Sequence, residues 1–402
     1  MSSAQRVAAA VLLLAGATSF ALELRYVWPF TADDAFITFR YARNWVAGFG
    51  PNFNVDGTRS EGVTSFGYLL ISCLPQALGI DPVRFGKALG VAVALGSAWL
   101  VGGLARALSG ESAERRETEG DALVAAAFAA ALFLAFHATA IHAASGMETL
   151  LAPSALFLAI ATVLSLRALE AVWLAIGAVM ALALLPDPVM NFDFRYCMPA
   201  AGGVAAVAGV GFARLCRLAA GSQPQQARAV TIVFTVATIV FLAAGSLEPA
   251  RSALRERRAY GQALESTYVR LGRVLADYRP ESGHPPVLAI GDAGAIPYYS
   301  GWRVIDTFSL NDPAIAIDGR HEPGYVLDQA PDLVGVVSEQ GREFSAHWAN
   351  RHDGPLFSAA LAHGMQPAVI LTFSARSYLY LMARPGSEIA RYLRSVYLEH
   401  SP

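Results

Sequence analysis

Residues Thr64–Ile80 read TSFGYLLISCLPQALGI, and whether this apolar stretch crosses a membrane decides the side on which every later segment lies. It is shorter than the roughly 20 apolar residues that span a bilayer, and Pro75 interrupts it. Longer apolar runs surround it, near 7–25, 86–108, 122–143, 149–166, 170–186, 198–215 and 229–246. Arginines in short loops beside helix ends mark the cytoplasmic side. Arg6 places the N-terminus inside. The loops with Arg106, Arg115 and Arg116, with Arg167, and with Arg214, Arg217 and Arg228 then alternate correctly only if 64–80 does not cross. The stretch is therefore read as an interfacial or re-entrant helix on the outer side. The expected fold is a mainly α-helical, multi-pass membrane protein with about seven transmembrane helices. Eight spans, with everything after residue 80 inverted, is the alternative.

Composition supports a membrane chain. Hydrophobic residues make up 54% of the 402 and charged residues only 15%, well under the ~25% of ordinary globular chains. A net charge of −2 gives no footing for nucleic acid. Lys87 is the only lysine, and that skew toward arginine carries no functional reading. Cys73, Cys197 and Cys216 show neither a CxxC nor a Cys/His spacing, so no disulfide framework or zinc site is signalled. The N-terminal AQRVAAAVLLLAGATSFALEL resembles a secretory signal in its lone Arg6, but its apolar length and the spans after it favour an uncleaved first helix.

The expected domains are a transmembrane region, 1–246, with a first outer loop at 26–85, and an extracytoplasmic α/β domain at 247–402. The tail is polar and punctuated by Pro and Gly. Its ARSALRERRAYGQALESTYVRLGRVLADY has the period of an amphipathic helix. PVLAIGDAGAIPYYSGWRVIDT then reads as strand, short helix, strand, and PDLVGVVS, PAVILTFS and SYLYLMA supply further strands.

On this topology the outer side receives 26–85, the turn His142–Thr149 and the turn Leu185–Tyr196, so the charged motifs converge on one face. Asp33 and Asp34 are adjacent carboxylates in FTADDAFITFRYARNW, Phe30–Trp45. Two carboxylates in a partly desolvated site push one pKa up, giving a base for a hydroxyl proton, or they hold a divalent cation, magnesium or manganese. A helix N-terminus stabilised by acidic residues explains the pair equally. Arg40 and Arg43 share a helix face and suit a phosphate or pyrophosphate, or a lipid headgroup. Glu61 is a loop carboxylate, solvated unless it serves the site. Glu148 lies at a helix mouth, where an ionisable residue is a functional candidate or a cap. Asp187, Asp193 and Arg195 form an outer-turn group, either functional or an ordinary salt-bridged loop. His137 and His142 have no third ligand and read as structural. The glycines of GDAGAIP lack GxGxxG and GK[ST], which argues against nucleotide binding. Asp292 with Tyr298, Tyr299 and Trp302 suits a sugar-facing surface, or a packed turn.

The stretch DDAFITFRYARNWVAGFGPNFNVDGTRSEGVTSFGYLL resembles the first outer loop of the GT-C membrane glycosyltransferases that use polyprenyl-phosphate sugars. It is nearest to the bacterial branch that includes the mycobacterial terminal arabinofuranosyltransferases. The matching positions are Asp33, Asp34, Arg40 to Asn44, Gly48 to Asn54 and Glu61 to Thr64. SGMET resembles the family's SGLET turn, FRYCMPA its RYxxP segment and GDAGAIPYYSGWRVIDTFSLNDP its soluble-domain signature. The resemblance covers both ends of the chain. In the middle it departs: LAIGAVMALALLPDPVMNFDFRYCMPA runs almost directly into RYxxP where the family continues through a TRPEG-like turn and several more spans. A compact enzyme and a decayed one both remain open.

The resemblance implies a glycosyltransferase at the outer face of the bacterial inner membrane. Its donor would be a polyprenyl-phosphate-linked sugar, held by membrane lipid, and its acceptor a glycan or glycolipid hydroxyl. One of Asp33 and Asp34 would be the general base, the other an orienting group or cation ligand. Arg40 or Arg43 would stabilise the leaving phosphate, Arg195 would contact the donor phosphate, and Glu61 and Glu148 would contact acceptor or cation. A non-catalytic scaffold or glycan-binding membrane protein is the alternative. Lipid-sugar transport ranks last, because the spans contain almost no polar residues.

Overall fold

The computed structural model describes residues 3–60, 62–63, 65–110, 119–151, 193, 195, 198–220, 229–230, 232–233, 235–236, 247–281, 283–308 and 310–398. The chain forms two compact units, Met1–Phe30 with Val83–Ala259, and Thr31–Pro82 with Tyr260–Pro402. Residues 31–82, most of the segment expected as the first outer loop, thus cluster with the C-terminal segment.

In the first unit, α1 (Ser3–Val27) packs on α5 (Glu119–Ala135), and α5 packs on α7 (Met198–Ala220). Ala9, Leu12, Val124, Ala127, Ala131, Phe212 and Cys216 form the shared core, with the Phe128 and Phe212 rings stacked at 4.2 Å. Small residues permit this approach. A Cβ on Gly16 would lie 2.5 Å from Ala131 Cα, and one on Gly209 2.4 Å from the Ala125 carbonyl oxygen. Such contacts suit helices in lipid, where close van der Waals packing replaces the hydrophobic effect.

Among the described residues three helices, α1, α4 (Pro82–Gly110) and α7, are long and apolar enough to cross a membrane. A fourth candidate is bent: α5 and α6 (His137–Ala144) meet at 59° where one continuous span, 122–143, was expected. The chain turns extended at Phe136, and Thr139 donates to the Phe133 carbonyl across the break. Three or four spans therefore stand against the seven expected; those near 149–166, 170–186 and 229–246 lie largely outside the described residues. Lys87 is buried in α4, its ammonium bonded to the Trp28 and Phe30 carbonyls.

In the second unit, α2 (Asp33–Val46) packs on α3 (Phe66–Leu78). Thirteen residues at 1.5 Å each make α3 about 20 Å long, short of the ~30 Å hydrocarbon core. Tyr68, Leu69, Ser72 and Pro75 are buried, while Phe66, Leu70, Leu74 and Leu78, spaced four apart, form an exposed apolar stripe.

The remaining elements are α8 (Leu247–Ala263), the π-helical turn Leu264–Val269, α9 (Arg270–Asp277), β1 (Val287–Ile290), α10 (Ala295–Ser300), β2 (Arg303–Asp306), α11 (Pro313–Ala316), α12 (Pro323–Leu327), β3 (Leu333–Ser338), α13 (Asp353–Ala362), β4 (Gln366–Ser374), β5 (Ser377–Ala383) and α14 (Glu388–Tyr397). All five strands expected from sequence join one sheet, ordered β2-β1-β3-β5-β4. β1 pairs in parallel with β2 and β3, and β5 antiparallel with β3 and β4. Alternate residues Val287, Ala289, Ile305, Val334, Val336, Tyr380 and Met382 face Ile315, Val326, Leu327, Leu356 and Ala360 of α11–α13. β1 and β3 are buried along their whole length, as strands covered on both faces must be. From β1 the chain steps first to β2 on one side and later to β3 on the other. This reversal is a topological switch point, and in such sheets ligands usually bind in a crevice beyond the carboxyl ends of the strands there.

Candidate functional site

The loop Gly291–Gly294 leaves β1 at that crevice and leads into α10. The orphan N–H groups at a helix start need acceptors, and here the acceptor is a carboxyl side chain of the protein. Asp33 Oδ2 accepts from Gly294 N at 3.1 Å and Asp33 Oδ1 from Ala295 N at 2.8 Å. Asp33 thus opens α2 and caps α10 in place of its own helix. The glycine is needed for closeness: a Cβ on Gly294 would lie 2.2 Å from the Asp33 carbonyl oxygen and 2.3 Å from Oδ2. Gly294→Ala must displace Asp33, and we expect a loss of about 1–3 kcal/mol, read as a lower thermal midpoint; an unchanged midpoint would show that the loop and Asp33 are not in contact.

Asp34 and Asp292 lie near Asp33, and Asp353 lies near Asp292. Asp34 follows Asp33 in α2, Asp292 lies in the same loop as Gly294, and Asp353 opens α13. Burial first, then the charge of Asp292, raises the Asp33 carboxyl to about 8, against the pull of the two backbone N–H groups. Asp33 nevertheless keeps an accessible edge, so it is desolvated by its surroundings without being sealed. Asp292 is likewise pushed up by burial, opposed by the hydroxyl of Tyr268, which donates to Oδ2 at 2.5 Å. Asp353 accepts from Val337 N at 2.6 Å, and burial raises its carboxyl to about 7. The Tyr260 hydroxyl bonds to the Asp33 main chain; burial and then Asp33 push its phenol well above 10, so it stays neutral.

These shifts give stability a direction. Asp33 and Asp353 keep their protons in the folded protein where the unfolded chain releases them near 3.8. Their contribution is complete below the unfolded value and is lost as pH rises through about 7 and then about 8. The thermal midpoint should accordingly be lower near about pH 8.5 than near about pH 5.5. A midpoint rising across that interval would contradict the placement of these carboxyls.

The rest of the first-loop motif is used in folding. Arg40 is buried, only 2% exposed. Its Nε donates to the Phe53 carbonyl at 2.6 Å, its Nη2 to the Trp302 carbonyl at 2.7 Å and to Asn54 Oδ1 at 3.1 Å, and its Nη1 to the Pro297 carbonyl. Its role in the unit is that of an internal clasp rather than an exposed phosphate ligand, because those four bonds engage most of its donors. Arg43 is partly exposed, donates to the Tyr298 carbonyl at 2.6 Å and lies over the Tyr298 ring at 4.7 Å. Tyr41 bonds to Asn311 Oδ1, Asn44 to the Asn52 and Phe53 carbonyls, and Asn54 to the Val304 carbonyl. Glu61 lies outside the described residues.

Of the aromatic residues suited to sugar, Tyr298 and Trp302 are buried. Tyr298 meets Phe36 and Phe39, and Trp302 Nε1 donates to the Leu275 carbonyl at 2.9 Å. They belong to the packed turn. Tyr260 and Tyr268, which sequence reasoning passed over inside an amphipathic helix, are the tyrosines beside the carboxylates. Tyr268 lies in a π-helical turn, Leu264–Val269, and Tyr260 in the helix just before it, a turn that the amphipathic period does not reveal.

In the first unit, Glu148 and Arg195 from two separate motifs form an ion pair at 3.5 Å. Asp193 accepts from Arg257, and its carbonyl lies 2.9 Å from His142 Nε2. Both motifs therefore do meet, with His142 in a structural contact; Asp187 lies outside the described residues. Cys73 and Cys216 are free thiols. Among the described residues no three His, Cys, Asp or Glu side chains converge in a metal-ligating group, and both Asp33 oxygens are already bonded to backbone N–H.

Residues 254–382, which carry Tyr260, Tyr268, Asp292 and Asp353, match a family described as Domain of unknown function (DUF8728). No curated protein and no solved structure matches the chain.

Proposed function

We propose that the protein is a membrane glycosyltransferase of the GT-C type, moving a pentofuranose or hexose from a polyprenyl-phosphate donor to a hydroxyl of a cell-envelope glycan or glycolipid. The observation that carries this reading is the cluster of Asp33, Asp34 and Asp292, in which Asp33 is held by Gly294 N and Ala295 N yet partly accessible, and burial raises its carboxyl to about 8. A base poised near the working pH is what a hydroxyl nucleophile requires. In the reaction, the acceptor oxygen bonds to the anomeric carbon as its proton passes to Asp33. The bond from that carbon to phosphate oxygen breaks, and the electron pair leaves with the polyprenyl phosphate. Asp34 orients the acceptor. Arg43, partly exposed and fixed by Tyr298, meets the departing phosphate; a donor-phosphate role for Arg195 rests on the resemblance alone. No step is routed through a divalent cation.

The arginine alternation supports an extracytoplasmic position for the C-terminal residues, with α3 at the membrane interface. The stripe Phe66, Leu70, Leu74 and Leu78 supports that seat, since it is apolar, exposed and too short to cross. A polyprenyl donor keeps its tail in the bilayer, and the proposed site needs its head at such a surface.

A non-catalytic scaffold is the second reading, favoured by the hydrogen bonds that make Asp33 a helix cap. One experiment separates them. Purified protein in lipid is given radiolabelled polyprenyl-phosphate sugars and crude envelope glycan, with Asp33→Asn and Asp34→Asn beside wild type. Transfer that Asp33→Asn abolishes supports the enzyme; folded wild type that transfers from no donor supports the scaffold.

A further inference from the structure

The same crevice carries a feature that the proposed base does not use. Asp292 is held on one side only: Oδ2 takes the Tyr268 hydroxyl, and Oδ1 meets no hydrogen-bond donor among the described residues. Asp292 is only partly buried, so that oxygen is an open acceptor to which a ligand hydroxyl could donate. Beside it stands an aromatic wall. Phe373 at the end of β4 is partly exposed, with its ring 5.3 Å from that of Tyr260 and 4.7 Å from that of Tyr268. Thr267 in the π-helical turn donates to the Thr372 carbonyl at 3.3 Å, which ties that turn to β4. A π-helical turn inserts an extra residue into a helix, and such insertions gather at functional sites.

A fixed carboxylate next to a partly exposed aromatic face is chemistry suited to a sugar ring. Its hydroxyls donate to the carboxylate and its C–H face lies on the aromatic rings. A cluster of carboxyls gives an anionic phosphate no counter-charge at this position, whereas neutral hydroxyls can hydrogen-bond to it. We propose that Asp292, Tyr260 and Phe373 form a subsite for the acceptor, a neutral glycan residue whose hydroxyl donates to Asp292 Oδ1, with Tyr268 as the positioning residue for that carboxylate. This assignment rests on the glycosyltransferase reading only for calling the bound glycan an acceptor. It makes the segment matched to the family of unknown function a substrate-binding part of the site.

Binding is tested apart from transfer. Full-length protein in lipid nanodiscs is titrated with a linear tetra-arabinofuranoside and with hexopyranoside tetrasaccharides, followed by saturation-transfer NMR. Wild type should bind at least one. Asp292→Asn and Phe373→Ala should each weaken binding by about tenfold or more, Asp292→Glu should recover part of it, and Tyr268→Phe should fall between. Where wild type also transfers sugar, Asp292→Asn should raise KM for acceptor more than it lowers kcat. Thermal midpoints show that each variant is folded. Absence of binding to every glycan by folded wild type overturns the subsite, as does binding indifferent to Asp292 and Phe373. An Asp292-dependent response to magnesium or manganese without any glycan effect overturns it in favour of a cation. Glycan binding that needs Asp292, with no transfer from any donor, leaves the subsite standing and removes the glycosyltransferase reading.

Discussion

Sugar transfer by Asp33→Asn protein is expected to fall by about 10²–10⁴-fold, the usual contribution of a general base, with little change in folding. The two roles of Asp33 separate in this substitution. As a cap, its carboxylate accepts from Gly294 N and Ala295 N. Asparagine keeps one acceptor oxygen, so the loss of stability should stay within about 0.5–2 kcal/mol. As a base, the carboxylate is indispensable, because an amide cannot take the proton of the acceptor hydroxyl. The wild-type rate adds a second signature. Burial and Asp292 hold the Asp33 carboxyl at about 8, and only the deprotonated form accepts a proton, so kcat/KM should climb as pH passes through about 8. A variant that retains transfer, or a wild-type profile flat across that range, would leave Asp33 as a cap alone.

The largest loss of stability is expected at Arg40. Arg40→Met conserves much of the volume but removes all four bonds, leaving the carbonyls of Phe53, Pro297 and Trp302 without that donor in a buried place. Each buried acceptor so stranded costs about 1–3 kcal/mol, and breaking such a network costs about 3–5 kcal/mol in sum, a large share of the ~5–15 kcal/mol of a typical domain. The bonds join the segment around residue 53 to the segment around 300, so loss of near-UV dichroism and early proteolysis in 260–402 should appear together. Arg40→Lys should recover only part, since a compact ammonium cannot reach oxygens arranged around a planar fork. If Arg40→Met unfolds at the wild-type midpoint, the clasp is not a major source of stability.

Both results concern residues of the single stretch DDAFITFRYARN, and they show why its meaning was only half legible. The acidic pair and the two arginines stand out by type and spacing. Nothing in their spacing says that Asp33 reaches a loop 261 residues away or that Arg40 turns inward while Arg43 stays half-exposed. GDAGAIP shows the converse case. Its glycines lack a nucleotide-binding pattern, and the group that its backbone N–H groups hold is the Asp33 carboxyl. Tyr298 and Trp302 looked available to sugar because aromatic residues mark both cores and sugar sites, and only burial separates the two.

What the sequence determined by itself is local: the apolar lengths of α1, α4 and α7, the shortness of α3, and all five strands, because hydrophobic period and turn residues act over a few positions. The break between α5 and α6 escaped it, since His137 and Thr139 do not interrupt an apolar run strongly enough to mark one. Tertiary structure alone decided that Thr31–Pro82 folds with Tyr260–Pro402, and that Asp33, Asp292, Tyr260 and Tyr268 share one crevice. Those encounters depend on sheet order and on buried hydrogen bonds between distant segments, where the free energy of pairing depends on the partner's position and leaves no period in either strand of text.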